Sequence, residues 1–209
     1  MRIRTLALAS AALSTALLLA GCSPSGMSDG MSGMDHGSSS SKTPTESAAQ
    51  FNAADQMFVT MMIPHHQQAI EMADIVLTKD GLDPRVAELA QQIKDAQGPE
   101  IDRMLGWLDD WGIDYNPDPM VGMDHGSMGA DGSDGMMSEE DMTALENAEA
   151  TEASRLFLEQ MVVHHEGAID MARTALEDAQ NPDVLALAQQ VIDDQTLEIA
   201  AMQDLLAEL

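Results

Sequence analysis

The segment PRVAELAQQIKDAQGPEIDRM (residues 84–104) decides the fold, because it recurs in register as PDVLALAQQVIDDQTLEIAAM (residues 182–202). A second phrase precedes each copy, MIPHHQQAIEMA at residues 62–73 and MVVHHEGAIDMA at residues 161–172. Such a long internal period indicates that one supersecondary unit is used twice. Each unit reads as a histidine-containing helix, a short turn and a second helix. Two such hairpins, each with one apolar stripe, predict an all-α four-helix bundle.

Composition shifts and breakers divide the chain into segments of different character. We expect a lipoprotein signal peptide (1–21), a flexible Ser/Gly/Met tether (22–50), a first helical hairpin (51–111), a Met/His-rich linker with a short helix (112–148) and a second helical hairpin (149–209). A cap signal at Ser138 to Asp141 begins the short helix, and a break is expected near residue 148. Pro64 lies inside the first helix, which we expect to be kinked but continuous.

The N-terminus has the features of a secretory signal. Arg2 and Arg4 form a basic region, and an apolar run leads to LAGC, which ends at Cys22. This ending resembles a bacterial lipobox and implies cleavage before Cys22 and lipidation of its thiol. Cys22 is the only cysteine, so no disulfide can form within one chain. We therefore expect a protein of the cell envelope, anchored by lipid and facing the periplasm or the cell exterior.

The charge balance limits the possible partners. The net charge is −27, which argues against nucleic acid, because phosphates are bound by Lys and Arg. The same charge argues against adhesion to anionic lipid, so membrane attachment would depend on the acyl chains of the anchor. Aromatic residues make up 3% of the chain and Met occurs 18 times. The core is therefore expected to be aliphatic and thioether in character.

A helical projection places one histidine of each pair at the centre of an apolar stripe. At about 100° per residue, His65 lies in the middle of the stripe and His66 lies on its flank. In the second half, His164 lies in the stripe and His165 lies on its flank. The other helix of each hairpin has polar residues inside its own stripe.

Those polar residues are Gln97 and Glu100 in the first half and Gln195 and Glu198 in the second. A buried carboxylate without a partner costs several kcal/mol. A counter-charge is therefore expected next to each carboxylate, and either a protonated histidine or a metal ion would supply it.

Methionines occur both in the helices and in the low-complexity segments. At helical spacing Met is more often a flexible filler of the core than a ligand, so both interpretations stay open for Met62, Met72, Met104 and their repeats. The low-complexity segments are not expected to pack a core, which favours a ligand role for their residues. These residues are Met27, Met31, Met34, Met120, Met123, Met128, Met136 and Met137, accompanied by His36 and His125. Thioether and imidazole together suit Cu(I) and, by extension, Ag(I).

The paired-histidine phrases, each followed by Q-x-x-E-I-x-x-M (Gln97 to Met104 and Gln195 to Met202), resemble the DUF305 family. The resemblance covers residues 51–111 and about 149–209. It implies a ferritin-like four-helix bundle and copper binding of the kind found in periplasmic, CopM-like metallochaperones. The implied ligands are Met62, His65, Met72 and Met104 in the first half and Met161, His164, Met171 and Met202 in the second. His66, His165, Glu100 and Glu198 are further candidate ligands.

The chain departs from the family pattern at one position upstream of the histidines. An Asp that is typical there is present as Asp55, but its repeat position is Ser154. The long Met-rich insert is a second departure, which we expect only in a subset of the family.

Three functions compete at this point. The first is a non-enzymatic lipoprotein that binds Cu(I) for buffering, resistance or transfer to a copper-accepting protein, with Met31, Met34, His36, Met123, His125 and Met128 as accessory capture residues. The second is a metal-free interaction bundle stabilised by buried His65–Glu100 and His164–Glu198 pairs. The third is a ferritin-like di-metal redox enzyme, which is disfavoured because no Glu-x-x-His motif occurs. No oligomeric state is predicted.

Overall fold

The computed structural model describes residues 50–116 and 134–209, which form five α-helices and no strand. The helices are α1 (Ala53–Leu77), α2 (Pro84–Trp111), α3 (Glu139–Asn147), α4 (Ala150–Asp178) and α5 (Pro182–Glu208). Helices α1 and α2 form one hairpin and α4 and α5 form the other, and the hairpins meet mainly through α1 and α4. The expected all-α bundle of two hairpins is confirmed.

The helix ends follow the local signals in the sequence. Asn52 caps α1 by accepting hydrogen bonds from two backbone N–H groups, and Asp55 returns a bond to the Asn52 backbone in a capping box. Pro84 and Pro182 occupy the first turns of α2 and α5, where proline removes no helical hydrogen bond. Pro64 lies inside α1, and the helix continues past it to Leu77 as expected.

Two apolar clusters fill the inside of the bundle. The first core cluster contains Phe58, Val59, Met62, Ile63, Ile101, Met104, Leu108, Ala168, Ala172, Ala175, Val184, Leu187, Ala188 and Val191. The second core cluster contains Ala69, Met72, Ala73, Val76, Val86, Leu89, Ala90, Ile93, Leu145, Ala153, Phe157, Leu158, Met161 and Met202. Each long helix contributes to both clusters, with one end in each. Between these two stretches every long helix carries polar residues, so the core is divided across its middle.

The two hairpins clamp each other at equivalent positions of the repeat. Asp55 Oδ1 of α1 accepts a hydrogen bond of 2.9 Å from the backbone N–H of Asn181, at the start of α5. In the other half, Ser154 Oγ of α4 accepts a 3.2 Å bond from the backbone N–H of Asp83, at the start of α2. Ser154 therefore fills the role of Asp55 with a neutral acceptor, which explains the departure from the family pattern.

The short helix α3 begins at a capping box between Ser138 and Asp141 and ends before Ala148, as predicted. One expectation for the preceding segment is wrong. Met137 is half-buried and packs against the second core cluster, although methionines of this segment were expected not to pack a core. The adjacent Met136 is 37% exposed.

Several predicted features lie outside the described residues. They are the signal peptide, the lipidation site Cys22, and the accessory residues Met31, Met34, His36, Met123, His125 and Met128. Within residues 50–116 and 134–209, every helix is too short or too polar to cross a membrane.

Candidate metal centre

A layer of polar side chains crosses the bundle between the two core clusters. This polar layer consists of His65, His66, Gln97, Glu100, His164, His165, Gln195 and Glu198. All of these residues are buried except Glu198, which is half-buried. Polar groups in such a position cost free energy unless each has a hydrogen-bond partner or a bound ligand. The polar layer is therefore the place to look for a function.

Each carboxylate of the polar layer contacts one histidine of its own hairpin. His66 Nε2 lies 2.9 Å from Glu100 Oε2, and His165 Nε2 lies 2.6 Å from Glu198 Oε2. His66 and His165, which we call the flank histidines, are completely buried. A histidine held in this way by a carboxylate has a fixed ring orientation, as is common for histidines that bind metals.

This pairing corrects the sequence expectation, which joined Glu100 to His65 and Glu198 to His164. The error has a geometric cause. A helix in a four-helix bundle faces two neighbours, so a residue on the flank of its stripe meets the hairpin partner. The residue at the centre of the stripe meets the other hairpin instead.

The central histidines, His65 and His164, meet each other across the interface of α1 and α4. Their ring centroids are 3.7 Å apart and the ring planes differ by 37°. Burial, followed by the charge of His66, lowers the pKa of His65 to about 3. Burial and the neighbouring His65 ring hold the pKa of His164 well below its ordinary value of 6.5. Both central rings are therefore neutral at pH 7 and keep a lone pair.

Three of the four histidines are hydrogen-bonded through Nε2, whereas neither ring nitrogen of His164 has a hydrogen-bond partner among the described residues. The two carboxylates accept from Nε2 of the flank histidines, and the backbone oxygen of Asp134 accepts from His65 Nε2 at 2.9 Å. An oxygen acceptor requires the proton on Nε2, so Nδ1 of a neutral ring carries the lone pair. Among the described residues, none of the four buried Nδ1 atoms has a hydrogen-bond partner.

The glutamines of the polar layer are incompletely satisfied as well. Both polar atoms of the Gln97 side chain are buried without a hydrogen-bond partner among the described residues, and so is Oε1 of Gln195. A buried amide with no partner costs about 1–3 kcal/mol. Orphaned acceptors on all four long helices make the polar layer a candidate ligand site.

The thioethers predicted as ligands lie on both sides of the polar layer. Met62 and Met104 belong to the first core cluster, whereas Met161 and Met202 belong to the second. Each of these side chains is completely buried. On α1 and α4, Met62 and Met161 precede the flank histidines by one helical turn, which places them on the same side of the helix.

Each of the other two predicted methionines packs with the methionines of the opposite half. Met72 lies in the second core cluster, with Met161 and Met202. Met171 is half-buried and packs against the first core cluster, which contains Met62 and Met104. The ligand set implied by the family resemblance placed Met72 with Met62 in the same half. The antiparallel meeting of α1 and α4 instead places the C-terminal part of one beside the N-terminal part of the other.

Histidines and carboxylates do not complete a metal site by themselves. In the described parts of the chain, no three or more His, Cys, Asp or Glu side chains converge in an arrangement that could hold a metal ion. A site at the polar layer therefore requires the neighbouring thioethers as donors. Imidazole with thioether is a neutral, soft donor set that suits Cu(I) better than a hard divalent cation.

Sequence reasoning missed three residues that bear on this centre. Gln190 donates a 2.9 Å hydrogen bond to Glu100 Oε1, and Arg103 lies 3.9 Å from the same oxygen. Asp134 supplies its backbone carbonyl to His65. Arg103 follows Glu100 by three positions on α2, so helical spacing could have found it. Gln190 and Asp134 come from distant parts of the sequence and leave no local signal.

Comparisons with known proteins agree with this architecture. Residues 55–206 match the sequence profile of DUF305, a domain of unknown function. No curated protein matches the chain. A DUF305 protein of Streptomyces coelicolor, described as secreted, shares 34% identity over 74% of this chain and 91% of its own, with a TM-score of 0.66. A DUF305 fragment from Deinococcus radiodurans shares 28% identity over 76% of this chain and 98% of its own, with a TM-score of 0.65.

CopM is a further solved structure to which the chain is similar. CopM in its Cu(II)-bound form shares 32% identity over 74% of this chain and 96% of its own, with a TM-score of 0.61. CopM has also been solved with Cu(I), with Ag and in an apo form.

Proposed function

Because this chain belongs to the DUF305 family, in which a copper-related role is supported by CopM, we propose that it is an extracytoplasmic protein that binds Cu(I). Histidines of the polar layer and the adjacent methionines hold the ion, and Ag(I) is bound in the same way. The observation that carries this proposal is the set of four buried Nδ1 atoms without a hydrogen-bond partner among the described residues, which lie between two clusters that contain thioethers.

The chemistry of the donors supports the monovalent ion. Imidazole and thioether ligands are neutral and polarisable, which favours Cu(I) and Ag(I) over hard cations. The flank histidines are oriented for metal binding by Glu100 and Glu198, which act on the ring nitrogens opposite the metal-facing ones. The carboxylates thereby stay bound to imidazole and need not contact the ion.

The role of the protein is buffering or transfer of copper and not catalysis. Weak, exchangeable neutral donors let the ion pass to a copper-accepting protein, while the accessory methionines and histidines of the tether and linker capture it first. The lipid on Cys22 keeps the chain at the membrane. A di-metal redox enzyme is not proposed, because each carboxylate of the polar layer is already paired with an imidazole.

The test is an anaerobic titration with Cu(I) against a chromophoric chelator that competes for the ion. The full chain carries Cys22→Ser so that it is recovered without lipid, and a second chain also lacks residues 23–50 and 117–133. In each, His66→Gln with His165→Gln is compared with the unsubstituted chain, and the matched control pair His36→Gln with His125→Gln is made in the longer chain, which contains both residues. We expect both chains to compete for Cu(I), and only the flank-histidine variant of the shorter chain to lose its competition.

Two results would contradict the site. If only the longer chain competes, the tether and linker are the copper-binding elements and the polar layer is structural. If neither chain competes, the copper proposal is wrong. The buried histidine–carboxylate contacts at 2.9 and 2.6 Å would then favour the second candidate function, a metal-free interaction bundle in which histidine and carboxylate fix the pairing of the helices.

A further inference from the structure

The end of the linker is bound to the bundle at the central histidines. We call residues Asp134–Met137 the strap. Gln68 of α1 accepts a 2.7 Å hydrogen bond from the backbone N–H of Met137 and donates one of 2.9 Å to its carbonyl oxygen. Gln68 thus holds the strap by both polar atoms of its side chain, as a neighbouring strand would.

On the other side, the strap lies directly on the backbone of α4. A Cβ atom added to Gly167 would lie 2.1 Å from the carbonyl oxygen of Asp134, so only glycine fits there. A Cβ atom added to Gly135 would lie 2.7 Å from the carbonyl oxygen of Val163 and 2.9 Å from that of His164. Gly135 also has a φ of +75°, which disfavours other residues.

The docking residues occupy equivalent positions of the duplication. In the aligned phrases HHQQAIEMA and HHEGAIDMA, Gln68 of the first copy corresponds to Gly167 of the second. In one copy the Gln68 side chain binds the strap, and in the other the absence of a Cβ atom at Gly167 leaves room for the strap backbone. The two halves differ here because a single strap crosses the interface between them.

The strap determines the proton position on His65. The carbonyl oxygen of Asp134 only accepts, so His65 Nε2 must carry the proton, and the buried Nδ1 carries the lone pair. Metal-binding histidines commonly donate their other ring N–H to a carboxylate or a backbone carbonyl, which fixes the tautomer. The strap accepts the Nε2 proton of His65, as Glu100 accepts that of His66.

We propose that the strap is a fixed part of the metal centre, and that Gln68 and Gly167 are positioning residues which make Nδ1 of His65 the metal-facing nitrogen. This inference rests on the proposed function. It adds that the linker orients a ligand through its backbone, and that the bundle is incomplete without residues 134–137.

The test uses ¹⁵N-histidine NMR of the full chain with Cys22→Ser, and His65→Gln identifies the His65 signals. Gly167→Ala and Gln68→Ala are compared with Gly106→Ala, where an added Cβ meets nothing within 4 Å, and with Gln67→Ala, at an exposed position beside Gln68. In wild type and both controls we expect His65 to carry its proton on Nε2. In the two strap variants we expect a mixture of tautomers.

Silver(I) then serves as a diamagnetic probe. We expect Ag(I) to shift Nδ1 of His65 in wild type while Nε2 keeps its proton, and the strap variants to bind Ag(I) about 10- to 100-fold more weakly. Urea unfolding of each variant shows whether Gly167→Ala still folds. Gln68→Ala, which introduces no clash, provides the same test independently.

The outcomes separate this inference from the proposed function. If Ag(I) binds but shifts Nε2 of His65 and removes its proton, the strap is displaced and the inference is overturned. It is also overturned if the strap variants bind Ag(I) as tightly as the controls. If neither Ag(I) nor Cu(I) binds, the proposed function is wrong. The tautomer of His65 in the metal-free wild type and variants still shows whether the strap orients the ring, so the two failures are distinguishable.

Discussion

The rings of His65 and His164 lie 3.7 Å apart between centroids, across the interface of the two hairpins. Both rings are buried, and burial is the main reason that the pKa of each lies well below 6.5. Protonating either ring would place a charge in the core beside the other ring. The contact between the hairpins therefore depends on both histidines being neutral.

This pair makes the bundle sensitive to acid. In the unfolded chain a histidine binds its proton near pH 6.5, but folded His65 does so only near pH 3. Between these values the unfolded state binds more protons, so stability rises with pH and falls as pH drops below 6.5. We expect a loss of about 1.4 kcal/mol per pH unit for each central histidine, measured by urea unfolding at pH 7.5, 6 and 5.

The control is His65→Gln with His164→Gln, which removes both titrating groups. Acidic residues also titrate at the lower end of this range, so the comparison is between slopes and not between absolute stabilities. The variant should lose less stability per pH unit than wild type. Equal slopes for the two proteins would show that the central histidines do not control the acid response.

Removing Glu100 should destabilise the bundle. Glu100→Ala leaves the buried Nε2 of His66 without its acceptor, which is expected to cost about 1–3 kcal/mol, whereas the exposed Gln190 amide can bond to water instead. Glu100→Gln keeps an acceptor and should cost less. Urea midpoints of both are compared with Glu88→Ala, an exposed position on the same helix. A loss no greater than that of Glu88→Ala would refute the structural role of the pair.

Replacing the buried methionines by leucine should separate packing from ligation. Leucine conserves volume and costs less than about 1.5 kcal/mol per site, but it has no sulfur. The changed residues are Met62, Met104, Met161 and Met202. We expect a folded variant whose Cu(I) affinity falls at least about tenfold, or about 1.4 kcal/mol. Met57→Leu, on an α1 residue that is 45% exposed, is the matched control and should bind as wild type does.

The clamp at Asp55 offers a test of how the hairpins hold each other. Asp55→Ala removes the acceptor for the backbone N–H groups of Asn52, Gln180 and Asn181, and we expect a loss of about 2–3 kcal/mol. Ser154→Ala removes one bond and should cost about 1 kcal/mol. Thermal unfolding of both variants measures the difference. A larger effect at Ser154 than at Asp55 would contradict this assignment.

Much of the fold could be predicted because its signals are local. The capping residues and prolines mark where α2 and α5 begin, and the repeat shows that one hairpin is used twice. The apolar stripes identify the core residues of α2 and α5, including the buried Gln97 and Glu100. Each of these features depends on neighbours within a few turns of the same helix.

The partners within the centre could not be predicted in the same way. Which histidine meets Glu100 depends on the rotation of α1 against α2. A helical-wheel projection describes one helix at a time and gives no information about that rotation. Which cluster receives Met72 depends on the antiparallel approach of α1 and α4. The carbonyl of Asp134 carries no side-chain signal at all, because any residue has one. The tertiary arrangement of the helices determines these contacts, and hydrophobic periodicity within one helix does not predict that arrangement.

The polar layer also has a cost for the evolution of this protein. Leucine at its buried positions would join the two core clusters into one continuous apolar interior and raise the stability of the bundle. Natural proteins commonly accept lower stability where function requires it. Variants selected only for heat resistance would therefore be expected to lose these polar residues first, and the rise in melting temperature would accompany a loss of the proposed copper binding.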